Sequence, residues 1–516
     1  MNPGVLLIRA DASAATGTGH VMRCLALAQA WQDAGGMALA VAAEATATIE
    51  ERLRREGIEV ARLEATPGSD DDACRTVALA QNRQAAWVVI DGYRFDSAYQ
   101  TSLKSSGLRV LLIDDDVHAD RYSTDLVLNQ NAHATESLYE KRESYTRLLL
   151  GPRYAMLRRE FDSWRSWPRE ISSIGRRVLI TMGGSDPDNF TLRVLEALPL
   201  VAVRTLEAVV VVGGSNPRAA MLEEAVGGLN ARCAVRLMKN ASNMPELMAW
   251  ADVAVSAAGT TCWEMCLLGL PALVVDLAKN QVPVAQCLDE LGVARHIGSS
   301  ADCSAAKIAS ELSQLLESSE TRRQMSSRGR ELVDGRGASR VCAAMLNGGV
   351  QLRRATESDC RLLWEWANEP SVRASAFSQQ AIGWEEHSAW FREKLADESC
   401  MILIGELGDG RPIGQVRINR QSNQEAEIDV SVVRDFRGTG YGSLLLESAL
   451  RGAFDSTSIT KVHAFIRPEN LASVRAFEKA GFLRMGERQV KGNPALHYCR
   501  ERPANNDVAV ARSDRR

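Results

Sequence analysis

One histidine of this chain has neighbours that suit general-base chemistry. His20 stands with Gly17, Gly19 and Arg23 directly behind the apolar segment Val5–Ile8, at the start of a predicted helix. Backbone N–H groups at a helix N-terminus attract anions, and glycines let a ligand come close, so Gly17, Gly19 and Arg23 are predicted substrate ligands. The same positive helix end disfavours a protonated imidazole, so His20 is a candidate base near neutral pH. The alternative is a histidine that only caps the turn or hydrogen-bonds a substrate.

The overall composition excludes several classes of function. The chain has 516 residues, 45% of them hydrophobic and 24% charged, with a formal net charge of −4. This balance is typical of a globular protein and gives no reason to expect nucleic acid or an anionic membrane as a partner. The N-terminus lacks the pattern of a secretory signal, and the apolar runs are too short to span a bilayer. We therefore expect a cytoplasmic protein.

The cysteines predict free thiols rather than cross-links or a metal site. There are 11 of them, an odd number, scattered from Cys24 to Cys499 without a Cys-x-x-Cys pair. Cys262 and Cys266 lie one helical turn apart, but no histidine cluster accompanies them. We expect reduced thiols and no bound metal.

The predicted elements form two α/β series in tandem. Apolar strands alternate with helices over residues 1–155 and again over residues 156–346, which favours parallel sheets covered on both faces. Several strands end in a polar residue, such as Asp91 and Asp114. Doubly wound sheets present their carboxyl edges to ligands, so two facing halves predict a cleft that suits a nucleotide-bearing substrate.

Two loops of the second series have the character of a diphosphate site. Each follows a predicted strand and precedes a helix, so its backbone N–H groups are placed to hold phosphate oxygens. Glu264, in the first turn of one helix, is predicted to accept hydrogen bonds from ribose hydroxyls, and the alternative is a solvated carboxylate that favours the helix dipole. The predicted nucleotide ligands of this half are Gly183, Gly184, Ser185, Gly259, Thr260, Thr261, Glu264, Asn280 and Gln281.

Residues 1 to about 345 resemble the GT-B-fold family of MurG-type transferases and, within it, the UDP-sugar hydrolases of pseudaminic acid synthesis. The matching runs are 9–13, 17–28, 112–115, 182–187, 256–264 and 280–281. The resemblance implies hydrolysis of UDP-2,4-diacetamido-2,4,6-trideoxy-β-L-altropyranose to UDP and the free sugar, with His20 activating water and without a metal. Ala258 departs from the family pattern, in which a second glycine is common.

Residues 350–502 have a different, α+β pattern and resemble the GNAT acyl-CoA N-acyltransferases. An Arg-x-x-Gly-x-Gly loop opens a helix, as pyrophosphate binding requires, and the run 470–482 matches the second motif of that family. The resemblance implies acetyl-CoA as cosubstrate. The residues that it predicts to bind acetyl-CoA are Val432, Arg437, Gly438, Thr439, Gly440, Tyr441, Gly442, Asn470, Ser473 and Phe477.

The acyltransferase chemistry leaves two groups to be assigned. Glu427 and Asp429 on the central strand are candidate bases, and solvated strand carboxylates are the alternative for each. Many GNAT enzymes carry a tyrosine, which protonates the leaving thiolate, where this chain has Phe477. Water or a nearby side chain such as Ser473 then takes that role, or protonation is not limiting.

The predicted architecture is α/β: a GT-B-type pair of Rossmann-like domains followed by an α+β GNAT acyltransferase domain. Its domains span residues 1–155, 156–346 and 350–502, and residues 503–516 are predicted to be a disordered tail. The combination implies a bifunctional enzyme that acetylates a UDP-4-amino sugar and then removes UDP. The alternatives are a GT-B glycosyltransferase and, for the last domain, a CoA-binding regulatory module.

Overall fold

The computed structural model describes residues 3–13, 17–184, 186–213, 216–229, 233–347, 350–407, 410–437 and 441–502. The chain divides into two compact units, residues 1–342 and 343–516. Ser185, Gly438, Thr439, Gly440 and the tail 503–516 lie outside the described residues, so what the sequence predicts for them stays a prediction. Among the helices of the described part, none is long and apolar enough to cross a membrane.

The first unit begins with a seven-stranded parallel sheet. Its strands are β1 (Val5–Ala10), β2 (Met37–Ala42), β3 (Glu59–Arg62), β4 (Ala85–Asp91), β5 (Val110–Ile113), β6 (Leu126–Asn129) and β7 (Arg147–Leu150). Their spatial order is β3-β2-β1-β4-β5-β6-β7, which reverses direction between β1 and β4. Ligands of doubly wound sheets bind at the carboxyl ends of the strands at such a reversal. The edge strand β7 is absent from the sequence prediction.

Four helices cover this sheet, and one of them starts differently from the others. They are α1 (Gly19–Asp33), α2 (Ala47–Arg55), α3 (Asp70–Asn82) and α4 (Ser97–Ser105). The side chains of Thr46, Ser69 and Asp96 cap the last three by accepting from an N–H three residues on. Thr18 makes no such bond at the start of α1. The N-terminus of α1 therefore lacks the side-chain cap that the other helices have.

A second parallel sheet of six strands completes the first unit. Its strands are β8 (Arg177–Thr181), β9 (Glu207–Val212), β10 (Ala234–Lys239), β11 (Val253–Ala257), β12 (Ala272–Asp276) and β13 (Arg295–Ser299). The spatial order β10-β9-β8-β11-β12-β13 reverses between β8 and β11. The helices of this part are α5 (Phe190–Ala197), α6 (Ala219–Leu229), α7 (Met244–Trp250), α8 (Thr261–Leu268), α9 (Val282–Glu290), α10 (Ala305–Glu317), α11 (Ser319–Leu332) and α12 (Gly337–Asn347).

The second unit is a seven-stranded, mostly antiparallel sheet with five helices. Its elements are β14 (Val350–Arg354), α13 (Cys360–Ala367), α14 (Pro370–Ser375), α15 (Trp384–Ala396), β15 (Cys400–Leu407), β16 (Pro412–Arg420), β17 (Glu425–Val432), α16 (Tyr441–Ser456), β18 (Lys461–Ile466), α17 (Leu471–Lys479), β19 (Leu483–Val490) and β20 (Asn493–Glu501). The order is β14-β15-β16-β17-β18-β20-β19, and β17 and β18 pair in parallel. The polar, exposed strand β19 is absent from the sequence prediction because it lacks an apolar face.

Candidate functional site

His20 and Asp91 meet where the first sheet reverses direction. His20 is the second residue of α1, which follows β1, and Asp91 is the last residue of β4, the neighbour of β1. The imidazole Nδ1 lies 2.6 Å from Oδ1 of Asp91, and both side chains are buried. Because a carboxylate only accepts, we assign a proton to Nδ1, which leaves the lone pair on Nε2. This arrangement fixes the ring and its tautomer, as a histidine base requires.

Arg23 holds the Asp91 carboxylate in its charged form. Its Nε donates to Oδ2 of Asp91 at 2.7 Å and its Nη2 to Oδ1 at 2.6 Å, while its Nη1 donates to Asp115 at 2.6 Å. Burial would raise the pKa of Asp91, but Arg23 and His20 outweigh burial and hold that pKa well below its usual range. The sequence predicts Arg23 to be a substrate ligand. The structure engages its buried guanidinium with two carboxylates, and a contact between Arg23 and a substrate stays a prediction.

Tyr93 connects the His20 loop with the second sheet. Its ring meets the imidazole of His20 edge-on at a centroid distance of 5.0 Å. Its hydroxyl accepts a hydrogen bond of 2.8 Å from Nδ2 of Asn280, which lies after β12. Burial and the charge of Asp115 raise the pKa of Tyr93 well above its usual range, so the hydroxyl stays protonated. Sequence reasoning missed Tyr93, whose only signal is its place two residues after a strand that ends in Asp91.

The loops of the two halves approach each other closely. Gly17, in the turn before α1, has a φ of +72°, a conformation that favours glycine. A methyl group on Gly184 would lie 3.0 Å from the amide nitrogen and the hydroxyl of Thr18, so a larger residue would push the loops apart. A methyl group on Gly19 would lie 3.6 Å from Oγ1 of Thr260. The structure therefore brings the His20 loop together with both predicted phosphate loops.

The two phosphate loops differ in how their helices begin. Gly259, Thr260 and Thr261 follow β11, and Thr260 makes no side-chain cap on α8. At α5, by contrast, the carboxylate of Asp186 accepts from the N–H groups of Phe190 and Thr191 at 2.7 and 3.0 Å. The first amides of α5 are thus already satisfied. An anion at this loop would be held by the backbone of Gly183 and Gly184 rather than by the helix.

Glu264 and Gln281 each have a protein partner in the second half. Oε1 of Glu264 lies 2.9 Å from Nη1 of Arg158, a residue of the segment between the two sheets. Burial raises the pKa of Glu264, and the charge of Arg158 opposes that effect. A ribose at Glu264 would therefore meet its second oxygen, Oε2. Gln281 accepts from the amide of Leu277 at 3.0 Å and closes its own loop. The sequence gives no signal for Arg158, which lies 106 positions before Glu264.

The second unit has an opening between its two parallel strands. The ladder of β17 and β18 ends at the pair Glu427 and His463. Within the described residues, β17 has no strand partner on the side of β18 from Ile428 to Val432. Gly442 lies beyond this edge, where a methyl group would come within 3.6 Å of Cγ2 of Val432. An open strand edge beside a helix N-terminus fits an extended chain such as the pantetheine arm of CoA, which the sequence predicts here.

Three other residues that are predicted to bind CoA already contact protein groups. Arg437 donates to the carbonyl oxygen of Val432 at 2.8 Å and to Glu369 at 3.0 Å, so its guanidinium anchors the loop. The side chain of Asn470 caps α17 by accepting from the amide of Ser473 at 3.1 Å, which leaves its Nδ2 for a ligand. Tyr441 packs edge-on against Phe436 at 5.8 Å.

Phe477 lies inside the core rather than at the strand opening. It is 3% exposed and packs against Phe482 with a ring-centroid distance of 5.0 Å. A contact between Phe477 and CoA is a prediction that this burial does not favour.

The two candidate bases of the second unit differ in their surroundings. Nε and Nη2 of Arg417 bind Oδ2 of Asp429 at 2.8 and 2.6 Å. Burial and the neighbouring charge of Asp429 raise the pKa of Glu427. Because an ion-paired carboxylate is a poor proton acceptor, this contrast favours Glu427 over Asp429. In the described part of the chain, no three His, Cys, Asp or Glu side chains cluster as a metal site would need.

Two family matches agree with these two sites. Residues 177–336 match the Glycosyltransferase family 28 C-terminal domain, and residues 350–483 match the Acetyltransferase (GNAT) domain. The chain is a fusion of a GT-B-type pair of Rossmann-like domains with a GNAT domain.

Three relatives are similar to this chain over different lengths. An uncharacterized protein of Methanocaldococcus jannaschii is 24% identical over 494 residues, 92% of this chain and 96% of that protein. The UDP-2,4-diacetamido-2,4,6-trideoxy-beta-L-altropyranose hydrolase of Campylobacter jejuni is 25% identical and aligns with 56% of this chain and 97% of its own length. Aminoglycoside N(6')-acetyltransferase type 1 of Klebsiella pneumoniae is 29% identical over 31% of this chain and 86% of its own.

Solved structures of GNAT enzymes are similar to the last part of the chain. Aminoglycoside acetyltransferase AAC(6')-Ib in complex with ribostamycin and coenzyme A is 26% identical and covers 32% of this chain and 99% of its own, with a TM-score of 0.29. The family matches and the sequence relatives support an enzyme with a glycosyltransferase-like and UDP-sugar hydrolase-like region and a GNAT acetyltransferase domain.

Proposed function

We propose that the chain catalyses two consecutive steps on UDP-activated amino sugars in pseudaminic acid biosynthesis. The GNAT domain acetylates UDP-4-amino-4,6-dideoxy-N-acetyl-β-L-altrosamine with acetyl-CoA. The first unit hydrolyses the product, UDP-2,4-diacetamido-2,4,6-trideoxy-β-L-altropyranose, to UDP and the free sugar. The observation that carries the proposal is the His20–Asp91 pair beside two predicted nucleotide loops. It is supported by the alignment of 56% of the chain with 97% of a hydrolase of that substrate.

His20 acts as the base of the hydrolysis. Its Nε2 takes a proton from water as the water oxygen bonds to the anomeric carbon and the bond to UDP breaks. Asp91 accepts from Nδ1 and stabilises the imidazolium that forms. Arg23 keeps Asp91 ionised during this step. General-base catalysis of this kind contributes about 10²–10⁴-fold to a rate.

The second sheet binds the leaving group. Backbone amides of Gly183, Gly184 and Gly259, together with the start of α8, lie where negative charge grows on the diphosphate as the bond breaks. Glu264 accepts from the ribose hydroxyls with the oxygen that Arg158 leaves open. Catalysis here needs positioned donors and one base, and metal independence is part of the proposal.

The GNAT domain positions an amine against an acetyl thioester. Bound acetyl-CoA supplies an activated acetyl group. The open edge of β17 from Ile428 to Val432 orients the pantetheine arm and the acetyl carbonyl by backbone hydrogen bonds. Glu427 faces the acceptor and attracts its ammonium group. Acetylation in the same chain keeps the product near its next site at a high effective concentration.

One experiment tests both steps with the full chain. Release of CoA is followed with the amino-sugar nucleotide and acetyl-CoA, and release of UDP is followed with the diacetamido nucleotide. We expect both products from the wild type, and in His20→Asn we expect UDP release to fall by about 10²-fold or more while CoA release and UDP binding persist. A His20→Asn protein that releases UDP at the wild-type rate would refute the base assignment. CoA release without UDP release in the wild type would refute the hydrolase.

A GT-B glycosyltransferase is the second candidate, because residues 177–336 match a glycosyltransferase domain. It would share Glu264 and the phosphate loops but transfer the sugar to an acceptor. Release of UDP in the absence of any acceptor separates the two, because a transferase needs the acceptor for turnover.

A further inference from the structure

Two histidines lie beside the point where the GNAT strands part. His463 on β18 is the ladder partner of Glu427, the last pair before β17 and β18 separate. Its Nδ1 lies 3.0 Å from Nε2 of His497 on the neighbouring strand β20. The ring of His497 stacks on Phe465 at 5.0 Å with an interplanar angle of 17°. The pair is therefore held in a fixed geometry at the apex of the opening.

The histidines share one face of the sheet with the candidate bases. Ala426, Ile428, Val462 and Ala464 belong to the hydrophobic core, together with residues of α16 and α17. Because side chains alternate along a strand, Glu427, Asp429 and His463 lie on the opposite face. The core closes one side of the strand opening, so an amine can reach an acetyl group there only from the face that carries His463.

Charged groups surround the pair on several strands. Glu425 lies 4.0 Å from Nε2 of His463, and Glu427 follows on the same strand. Burial, His463 and Arg488 of β19 lower the pKa of His497, which favours its neutral form. Arg417 of β16 neutralises Asp429 further along the same face.

Two ring nitrogens 3.0 Å apart hold a single proton between them. One nitrogen donates it and the other accepts, so the doubly protonated pair would have to break the contact. We assign this proton to Nδ1 of His463, which then donates to Nε2 of His497 and leaves Nε2 of His463 with a lone pair whenever that ring is neutral.

We propose that His463 and His497 form a proton relay that deprotonates the amine acceptor of the acetyltransferase. Nε2 of His463 takes one proton from the ammonium, directly or through one water, while Nδ1 passes its own proton to Nε2 of His497. His497, whose neutral form is favoured, then releases one proton to solvent. The neutral amine nitrogen then bonds to the acetyl carbon, the C–S bond breaks, and its electron pair leaves on the CoA sulfur. The second amine proton is lost to the thiolate or to solvent. This inference rests on the proposed acetyl transfer.

The test compares pH profiles of full-length variants. CoA release is measured from pH 6 to pH 9 with His463→Asn, His497→Asn and Tyr498→Phe, using the UDP-4-amino sugar and, separately, kanamycin as acceptors. Tyr498 neighbours His497 on β20, but its hydroxyl contacts Glu478 and its ring lies in the core, which makes it a matched control. We expect kcat/KM of both histidine variants to fall by about 10²-fold at pH 6.5. We expect this deficit to shrink to a fewfold at pH 9, because the amine then loses its proton to solvent. Tyr498→Phe should keep the wild-type profile.

The outcomes separate the relay from the proposed substrate. A deficit that is equal at every pH indicates a structural role and overturns the relay, as does a wild-type profile in either histidine variant. If kanamycin is acetylated and the UDP-4-amino sugar is not, the proposed substrate fails, while the kanamycin profiles still decide the relay. If neither amine releases CoA in the wild type, both proposals are overturned. Melting curves of each variant report its folding independently of activity.

Discussion

His20 and Asp91 stand 71 positions apart in the chain, yet their Nδ1 and Oδ1 atoms lie 2.6 Å from each other. The topology of the first sheet explains this contact. Strand order reverses between β1 and β4, so the helix after β1 and the last residue of β4 meet at one carboxyl edge. The histidine that the sequence singles out therefore acquires a carboxylate partner that orients it.

Asp91→Asn should disturb the orientation and tautomer of the His20 ring without weakening the binding of UDP. An amide can offer its N–H to Nδ1, which would favour the tautomer that carries the proton on Nε2 and has no lone pair there. We expect UDP release from the diacetamido nucleotide to fall by about 10²–10³-fold, while the Kd for UDP stays within about twofold. Steady-state rates and isothermal titration with UDP measure the two quantities.

Asp115→Asn is the matched control for that prediction. Asp115 contacts Arg23 at 2.6 Å rather than His20. Its loss therefore weakens the hydrogen-bond network at a greater distance from the imidazole than the loss of Asp91 does. We expect a decrease of less than about tenfold. Equal losses in the Asp91 and Asp115 variants would show that the whole network, rather than the ring orientation, sets the rate.

The hydrogen bond between Tyr93 and Asn280 should couple the two halves of the first unit. Its 2.8 Å length joins a loop after β4 to a loop after β12. A neutral hydrogen bond contributes about 1 kcal/mol, so Tyr93→Phe and Asn280→Ala should each lower kcat/KM for UDP-sugar hydrolysis about fivefold.

A double-mutant cycle tests that coupling. The double variant should be no worse than either single variant, because both remove the same bond. If the two losses instead multiply to about 25-fold, Tyr93 and Asn280 act independently on the substrate, and the bond between them has no part in catalysis.

The ion pair of Arg9 and Asp72 should dominate the acid stability of the first sheet. Both side chains are fully buried, and Nε and Nη2 of Arg9 bind the two oxygens of Asp72 at 3.0 and 2.7 Å. Asp72→Asn leaves the buried guanidinium with Asp11, at 2.8 Å, as its remaining carboxylate partner, and the lost charged hydrogen bonds cost about 1–3 kcal/mol. Denaturant unfolding at pH 7 measures this loss, and Asp71→Asn, at an exposed carboxylate one position earlier, should leave the midpoint unchanged.

The ion pair of Arg9 and Asp72 should also make the free energy of unfolding depend on pH. Burial would raise the pKa of Asp72, but Arg9 outweighs it and the pKa of Asp72 is lowered. A carboxyl whose folded pKa is depressed stabilises the fold above its unfolded pKa of about 3.9, and this contribution is lost as the pH falls further. The stability gap between wild type and Asp72→Asn should therefore narrow below about pH 4. A gap that is constant from pH 7 to pH 3 would exclude this assignment.

The sequence predicts the architecture of this chain better than the partners of its functional residues. Apolar strands alternating with helices indicate two parallel sheets, and the Rossmann-like and GNAT fold classes are confirmed. Short or polar edge strands such as β7 and β19 escape detection, because pairing with a neighbour, rather than their own pattern, makes them strands. Such pairing depends on residues far away in the chain.

The site residues differ in the same way. Some are recognisable from the neighbouring sequence, and others only from contacts with residues far away in the chain. His20 is recognisable from its own loop, because glycines and a helix start surround it. Asp91, Tyr93 and Arg158 act through contacts with residues that lie 71 to 187 positions away. Arg23 looks like a ligand from its place beside His20, and only the fold reveals that two carboxylates already hold it. A local sequence motif identifies a reactive side chain, whereas the charged groups that contact and orient it are brought to it by the topology of the fold.

The last prediction concerns the substitution of Phe477 by tyrosine. Many GNAT enzymes have a tyrosine there to protonate the thiolate, so Phe477→Tyr would be expected to raise the rate if the ring faced the strand opening. The ring is instead 3% exposed and packed edge-on against Phe482. The added hydroxyl would be buried in the core, and leaving it without a hydrogen-bond partner would lower the free energy of unfolding by about 1–3 kcal/mol.

We therefore expect Phe477→Tyr to lower the melting temperature and leave kcat for CoA release unchanged or reduced. Ser473→Ala is the companion variant, because Ser473 lies one turn earlier on α17 and its hydroxyl is a candidate proton donor to the thiolate. A rate loss in Ser473→Ala that is largest at high pH, where solvent supplies fewer protons, would support that role. A faster Phe477→Tyr enzyme with unchanged stability would instead mean that the added hydroxyl reaches the reacting sulfur and donates a proton to it.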